Sequence, residues 1–208
     1  MLTPVKKTSL ATSVYEQLRD HILSGALAPG EDLPAERALS STLAVNRSAI
    51  REALKRLEQA GLIAIHHGGN TVVLDYQRAA GLDLLGALIT QEPSRQQDLR
   101  ALRAALLPEV ARTAAFQADS HQINRLDMLS GLIHSQPREQ CEDLENEFWT
   151  VLIDASKNLA FRLVFNTIEG LDRPGPTASP SEFRDLMNAI AAGDSRGAAL
   201  TTRSMITP

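Results

Sequence analysis

The sequence predicts a mainly α-helical protein with one small β element in its N-terminal part. Leu and Ala dominate a composition that is 43% hydrophobic but only 4% aromatic, which favours helices packed through aliphatic side chains. Along most of the chain, apolar residues recur at intervals of three or four, the period of one helix face. Two short β-rich runs around a Gly-rich turn interrupt that period between residues 62 and 74. We therefore expect helices on both sides of a β-hairpin.

Length and composition exclude several broad classes of protein. A chain of 208 residues can form one large domain or two small ones, and its 22% charged residues are ordinary for a globular protein. The single cysteine, Cys141, excludes a disulfide framework and any multi-cysteine metal site. No apolar run reaches the roughly 18 residues of a membrane span, and the N-terminus lacks the apolar core of a signal peptide. We therefore expect a soluble cytoplasmic protein.

The first 76 residues contain the signals of three helices and the hairpin. Helices are predicted over residues 9–23, 35–43 and 49–60, and strands over residues 62–65 and 71–74. Asn46 or Ser48 can cap the third helix, and Gly61 ends it. Helix, helix, three-residue turn, helix and hairpin are the elements of a winged helix-turn-helix domain, which we assign to residues 1–76.

The remainder of the chain is predicted to be helical. The helical period continues to the C-terminus, with a break or kink at Pro108, a loop over residues 172–180 and a split at Gly193. We assign residues 77–208 to an antiparallel all-α helical bundle that forms a second domain.

The charge distribution differs between the two parts. The net charge is −4, yet residues 1–76 carry eight Lys or Arg and eight Asp or Glu, so the acidic excess lies in the remainder. Within the first part, residues 47–56 hold four basic side chains and one acidic one. This local basic helix indicates a small DNA-contacting module, and a solvated helix face is the alternative.

The first 76 residues resemble the GntR family of bacterial transcription regulators. The matching residues run in the family's order through segments 22–25, 33–37, 45–54 and 61–63. The later helices are similar to the FCD-like effector-binding domain of the family's FadR branch, with residues 99–115 as its opening helix. Residues 65–71 and 81–85 most resemble the fatty-acid-responsive members. The resemblance implies a DNA-binding regulator that acts as a homodimer and senses a metabolite.

Seven residues are candidates for DNA contact: Arg37, Asn46, Arg47, Ser48, Arg51, His67 and Gly68. Arg47 and Arg51 lie one helical turn apart, so both can face the same way and bind guanine O6 and N7 or a phosphate. A purely solvated role is their alternative. Ser48, near the positive end of the third helix, can help hold a phosphate.

The other DNA-contact candidates surround that helix. Arg37 projects from the second helix toward the DNA backbone, and an ion pair with Glu52 or a similar acid is its alternative. Asn46 stands where many relatives have a hydroxyl residue. His67 and Gly68, at the hairpin tip, can enter the minor groove because glycine permits close approach and imidazole can donate or accept a hydrogen bond. In the resembling family, the matching positions contact the operator.

The metal site of many FadR-branch members is altered in this sequence. Those members hold a divalent metal through one acidic residue and three histidines, and the matching positions are Glu145, Trp149, Phe183 and about Ser204. Trp and Phe offer no donor to a metal, so we expect no metal cofactor. Three residues are candidates for effector binding: Arg103, Trp149 and Phe183. Core packing of the two aromatic residues and a structural ion pair of Arg103 are the alternatives.

These features predict a sequence-specific transcription regulator of a palindromic operator. The expected effector is a fatty acyl-CoA or a related carboxylate, and a small organic acid or sugar acid is the alternative. The chain ends at Pro208, whereas the acyl-CoA-binding members continue with a further aromatic segment. Either this counts against an acyl-CoA or the chain is a truncated form. An enzyme is not expected, because the sequence lacks a nucleophile elbow, a P-loop, an HExxH motif and a dinucleotide fingerprint. A nonspecific DNA binder is disfavoured by the net charge.

Overall fold

The computed structural model describes residues 9–66, 70–168, 171 and 178–206. It divides into two compact units, Met1–Pro93 and Ser94–Pro208. The division follows Pro93 rather than the predicted residue 76, because the segment after the hairpin packs into the N-terminal core. Leu84 is buried there, and Leu88 packs against the same cluster.

Five helices of the N-terminal unit are α1 (Leu10–Leu23), α2 (Glu36–Thr42), α3 (Arg47–Gln59), α4 (Tyr76–Ala79) and α5 (Leu85–Gln91). Helices α1 and α2 both pack against α3, whose Ile50 and Leu57 are completely buried. Helix α3 begins two residues before the predicted start. The Asn46 side chain accepts a hydrogen bond from the backbone N–H of Ala49 at 2.8 Å and so caps the helix one position before Arg47.

The predicted hairpin is present and forms part of a three-stranded antiparallel sheet. Strands β2 (Ile63–Ile65) and β3 (Thr71–Val73) pair with Ala64 opposite Val72. Strand β1 (Asp32–Leu33) adds to the other side of β3, so the spatial order is β1-β3-β2. The sequence does not predict β1, because two residues are too few for a strand pattern.

Gly61 ends α3 in a conformation that requires glycine. Its φ is +69°, and a Cβ at this position would lie 2.5 Å from the carbonyl oxygen of Ala79. The close approach places α4 against the turn between α3 and β2.

Six α-helices of the C-terminal unit are α6 (Gln96–Gln117), α7 (Ser120–Ser135), α8 (Glu142–Ala155), α9 (Leu159–Ile168), α10 (Pro180–Ala191) and α11 (Ser195–Ile206). Helix α6 packs against α8, α10 and α11, and α7 packs against α8 and α10. The predicted break or kink at Pro108 is not a break, since α6 continues through this buried proline. The predicted split at Gly193 is confirmed between α10 and α11, where Gly193 has a φ of +67°.

Buried aliphatic side chains and helix caps stabilise the helices of the C-terminal unit. Leu126, Leu129 and Leu152 are completely buried at the contacts between helices. Asp119 and Gln122 form a capping box at the start of α7. Most of the predicted loop over residues 172–180 lies outside the described residues. Among the described residues, no helix is long and apolar enough to span a membrane.

Candidate nucleic-acid interface and sensing domain

Helix α3 separates an apolar face from a basic face. Ile50, Leu54 and Leu57 are buried against the rest of the N-terminal unit. Arg47 and Arg51 are exposed, and they lie four residues apart, so they share one side of the helix. Lys55 is also exposed and extends the same side by one more turn. We call Arg47, Arg51 and Lys55 the basic face of α3.

Lys55 is a functional candidate that sequence reasoning missed. Its spacing of four residues from Arg51 was the available signal. The basic face therefore has three cations within three turns, and a row of this kind suits the phosphates that border a DNA groove.

The start of α3 offers donors as well as charge. The side-chain oxygen of Asn46 is already used in capping, which leaves its amide NH2 group available for other partners. Ser48 is exposed in the first turn, where backbone N–H groups have no acceptor within the helix. This helix end can therefore hold a phosphate oxygen through N–H groups and the Ser48 hydroxyl.

Arg51 forms an ion pair across the helix-turn-helix. Its Nε donates to Oε2 of Glu36, the first residue of α2, at 2.8 Å. The Arg51 side chain nevertheless remains 68% exposed. Arg37, next to Glu36, is exposed and has no acidic partner in the part of the chain that the structure describes. The ion pair considered for Arg37 with Glu52 is therefore not formed, and the carboxylate of α2 pairs with Arg51 instead.

One basic residue of segment 47–56 has a structural role. Arg56 donates from Nη1 to the Thr12 hydroxyl at 3.0 Å, and its guanidinium lies 4.4 Å from the centroid of the Tyr15 ring. Both partners belong to α1, so Arg56 fastens α3 to α1 through a hydrogen bond and a cation–π contact.

The base of the hairpin is held by two contacts. The backbone N–H of His66 donates to the carbonyl of Asn70 at 3.3 Å. The Asn70 side chain in turn donates to Asp32 of β1 at 2.7 Å. The candidates His67 and Gly68 lie outside the described residues, between these two anchored positions.

The effector candidates Trp149 and Phe183 come together in the C-terminal unit. Their ring centroids are 5.8 Å apart, and Phe148 contacts both rings edge-on, at 5.9 and 5.1 Å. Phe183 is completely buried, which favours its core-packing alternative, whereas Trp149 keeps part of its surface exposed. Arg103 lies on α6, is partly buried and is engaged in an interaction of its own.

Glu145 lies one turn before Trp149 and is buried. Its Oε1 accepts no hydrogen bond from any described residue. Burial raises the pKa of this carboxyl group, Arg138 partly offsets the rise, and Glu142 adds to it. The thiol of Cys141, one turn earlier, is also buried and lies 3.4 Å from the carbonyl oxygen of Pro137.

Four positions match the metal ligands of FadR-branch relatives: Glu145, Trp149, Phe183 and about Ser204. Within residues 9–66, 70–168, 171 and 178–206, no three His, Cys, Asp or Glu side chains are grouped so that they could hold a metal ion. Trp149 and Phe183 offer no donor atom to a metal, and the Ser204 hydroxyl donates to the carbonyl oxygen of Thr201 and to Glu182. These donors do not fit a divalent metal.

Two family models cover most of the chain. The model of bacterial regulatory proteins of the gntR family matches residues 10–73, and the model of the FCD domain matches residues 98–207. Among solved structures, Lar, described as controlling the expression of the agr system of Listeria monocytogenes, superimposes with a TM-score of 0.52 at 21% identity. That superposition covers 97% of this chain and 95% of Lar, and it supports the fold alone.

Curated relatives are regulators. The HTH-type transcriptional regulator Mce2R of Mycobacterium tuberculosis is 33% identical over 222 residues, covering 99% of this chain and 92% of Mce2R. The fatty acid metabolism regulator protein of Vibrio cholerae is 32% identical over 157 residues, covering 73% of this chain and 53% of that protein. The protein of the same name from Klebsiella pneumoniae is 29% identical, covering 80% of this chain and 71% of that protein. The chain therefore belongs to the GntR family of bacterial transcription regulators, and it joins the family's DNA-binding domain to an FCD effector-binding domain.

Proposed function

We propose that this regulator binds a palindromic operator as a homodimer and that a fatty acyl-CoA or a related carboxylate controls its affinity. The observation that carries the proposal is the exposed basic face of α3, which stands on the helix that a winged helix-turn-helix inserts into the major groove.

Asn46 caps α3 in this proposal, and the other DNA-contact candidates each have a contact with DNA. Arg47 and Arg51 read base edges, since an exposed guanidinium can donate two parallel hydrogen bonds to guanine. Ser48 and the first turn of α3 hold a phosphate, and Arg37 and Lys55 contact phosphates on either side. His67 and Gly68 enter the minor groove next to them, as in the family that the sequence resembles.

Aromatic residues at two of the four positions that match the relatives' metal ligands support an apolar effector. Trp149 and Phe183 replace ligands with aromatic rings, so we propose that the FCD domain works without a metal cofactor. The names of the relatives from Vibrio cholerae and Klebsiella pneumoniae point to fatty acid metabolism. Trp149, which is partly exposed, is the candidate contact for an acyl chain, and Arg103 is the candidate contact for a carboxylate or phosphate.

Effector control requires two arrangements of the dimer. The effector must bind one arrangement better than the other, and operator DNA must prefer the opposite one. By linkage, any compound that weakens operator binding must itself bind less tightly when the operator is present.

A native mass spectrum and a binding titration test the proposal together. In the native mass spectrum we expect a dimer without metal. This dimer should carry an organic adduct in the acyl-CoA mass range. An operator selected from a random duplex pool is then titrated with a C16 acyl-CoA, its free acid and gluconate, and fluorescence anisotropy reports release.

The outcomes separate the alternatives. Release by the acyl-CoA or the fatty acid at micromolar concentration supports the proposal. Release by gluconate alone favours the sugar-acid alternative, and equal binding of all three compounds with and without operator overturns the effector assignment. A metal-bearing dimer contradicts the metal-free site, and a monomer on DNA contradicts the palindrome.

A further inference from the structure

The ion pair of Glu36 with Arg51 joins the two helices of the helix-turn-helix. Glu36 begins α2, and Arg51 lies in the second turn of α3. The contact uses the Nε of Arg51, at 2.8 Å from Oε2 of Glu36. Because both side chains stay substantially exposed, at 68% and 39%, the pair contributes little to the stability of the fold.

The geometry of the contact leaves the two Nη atoms of Arg51 available for other partners. A guanidinium has five N–H donors in a fixed plane, and Nε accounts for one of them. The four N–H groups on the two Nη atoms remain for a base edge, and a bidentate contact with guanine needs two of them in a set orientation. A carboxylate that accepts a hydrogen bond from Nε therefore restricts the rotation of the side chain. The N–H groups on the two Nη atoms stay available to a base.

Arg47 provides the contrast within the same helix. It lies four residues earlier on the basic face and has no carboxylate partner among residues that the structure describes. Arg47 and Arg51 are both exposed on the same side of α3, and they differ in whether a neighbouring carboxylate pairs with them.

We propose that Glu36 is a positioning residue that orients Arg51 for one base edge, and that it sets the sequence specificity of DNA binding rather than the overall affinity. This inference rests on the proposed contact of Arg51 with DNA bases. The opposing interpretation is that Glu36 only repels phosphates, in which case its removal would strengthen binding to every sequence alike.

The test uses the full chain and two duplexes, one selected by the wild-type protein from a random pool and one scrambled. Glu36→Ala is compared with Glu52→Ala, which removes the same charge from an exposed position of α3 that has no ion-pair partner in the described ranges. Affinities for both duplexes are measured at several salt concentrations. We expect Glu36→Ala to lower the ratio of specific to scrambled affinity about tenfold, and Glu52→Ala to leave the ratio unchanged.

Two further variants separate the position of the carboxylate from its charge and test whether its effect acts through Arg51. Glu36→Asp keeps the negative charge at the start of α2 but withdraws the carboxylate by one methylene, and we expect it also to lower the ratio. In an Arg51→Ala background, Glu36→Ala should have no further effect on the ratio, because the residue it orients is gone.

Distinct results overturn the inference and the proposal beneath it. If Glu36→Ala raises both affinities equally, as a lost negative charge would, Glu36 is not a positioning residue. If Arg51→Ala itself leaves the ratio unchanged, Arg51 does not contact a base edge. That result contradicts the role of Arg51 in the proposed function, whatever Glu36 does.

Discussion

At the scale of single residues, Glu145 is the buried carboxyl group whose surroundings least suit a negative charge. Burial raises its pKa, and Oε1 accepts no hydrogen bond within the described part of the chain. A raised pKa in the folded state means that folding favours the protonated form. The ionised carboxylate therefore destabilises the protein progressively as the pH rises from the ordinary pKa through the raised one.

Replacement of Glu145 by Gln tests this assignment. Gln keeps the shape of the neutral acid, so we expect Glu145→Gln to raise the free energy of unfolding at pH 7 by about 1 kcal/mol. The gain should shrink as the pH falls through the raised pKa of Glu145 and should vanish below the ordinary pKa of a glutamate. Urea unfolding followed by the fluorescence of Trp149, the single tryptophan, reports on the C-terminal unit. Glu139→Gln, at an exposed position, is the control, and a loss of stability in Glu145→Gln would contradict the prediction.

The candidate DNA-binding residues show how far sequence can predict a site. Helical period alone places Arg47 and Arg51 on one side of α3, because a repeat of four fixes which residues share a face. The pairing of Glu36 with Arg51 could not be predicted, since it depends on how α2 and α3 approach each other across the turn. The same holds for Arg56, whose partners on α1 are more than 40 residues away in sequence.

At the scale of elements, the sequence predicts the helices and strands that have strong local signals, but it does not predict the shortest elements. Helices α1 and α3 follow from apolar repeats and caps, and the hairpin follows from two β-rich runs around glycines. Strand β1 and helix α4 have two and four residues, so tertiary contacts rather than local propensity decide their conformation.

The junction between α3 and β2 depends on Gly61. We expect Gly61→Ala to lower the free energy of unfolding of the N-terminal unit by more than about 1 kcal/mol, because it combines a positive φ with a backbone clash at Ala79. Gly25→Ala is the matched control, since Gly25 also has a positive φ, +78°, but open space around its Cβ position. Amide hydrogen exchange of α3 and α4 measures the difference. Equal losses in the two variants would exclude the clash as a cause.

The start of α10 has an electrostatic cap. Glu182 accepts hydrogen bonds from the backbone N–H and the hydroxyl of Ser179, at 2.7 and 2.9 Å. The backbone hydrogen bond lowers the pKa of Glu182, burial partly opposes this, and the hydroxyl groups of Ser179 and Ser204 assist. A lowered pKa in the folded state stabilises the protein above the ordinary pKa, and this stabilisation is lost as the pH falls through the lowered one.

Glu182→Gln should therefore reduce both stability and acid sensitivity. We expect the free energy of unfolding at pH 7 to fall by about 0.5 kcal/mol and the loss between pH 5 and pH 3 to become smaller. Urea unfolding monitored by Trp149 fluorescence is the measurement. Asp185→Asn, an exposed position of the same helix, should change neither quantity. An unchanged pH profile in Glu182→Gln would show that the cap does not depend on the charge.

At the scale of the whole molecule, the predicted domains and the compact units of the structure have different boundaries. Composition and period change at residue 76, where the hairpin ends, yet the structure divides after Pro93. The intervening residues are helical, and their assignment depends on which core buries Leu84 and Leu88, a property of packing rather than of pattern. The family models leave residues 74–97 unmatched, a range that includes this interval.

The salt dependence of DNA binding tests the charge distribution and the proposed dimer together. The chain has a net charge of −4, so affinity for DNA must come from local cations such as Arg37 and the basic face of α3. Log affinity falls as log salt concentration rises, and we call the magnitude of this negative gradient the slope. Each phosphate contact that is lost lowers the slope by about one. A homodimer carries every substitution twice, so a phosphate-contacting residue removed from both protomers should lower the slope by about two on a palindrome.

Arg37→Ala is the suitable variant because Arg37 is exposed and has no acidic partner in residues that the structure describes. We expect its slope to fall by about two on the selected palindrome and by about one on a single half-site, with the same loss for every sequence. Arg112→Ala removes an equal charge from α6, where Arg112 pairs with Glu109, and should leave the slope unchanged. A fall of only one on the palindrome would mean that one protomer alone contacts DNA through Arg37, and an unchanged slope would remove Arg37 from the interface.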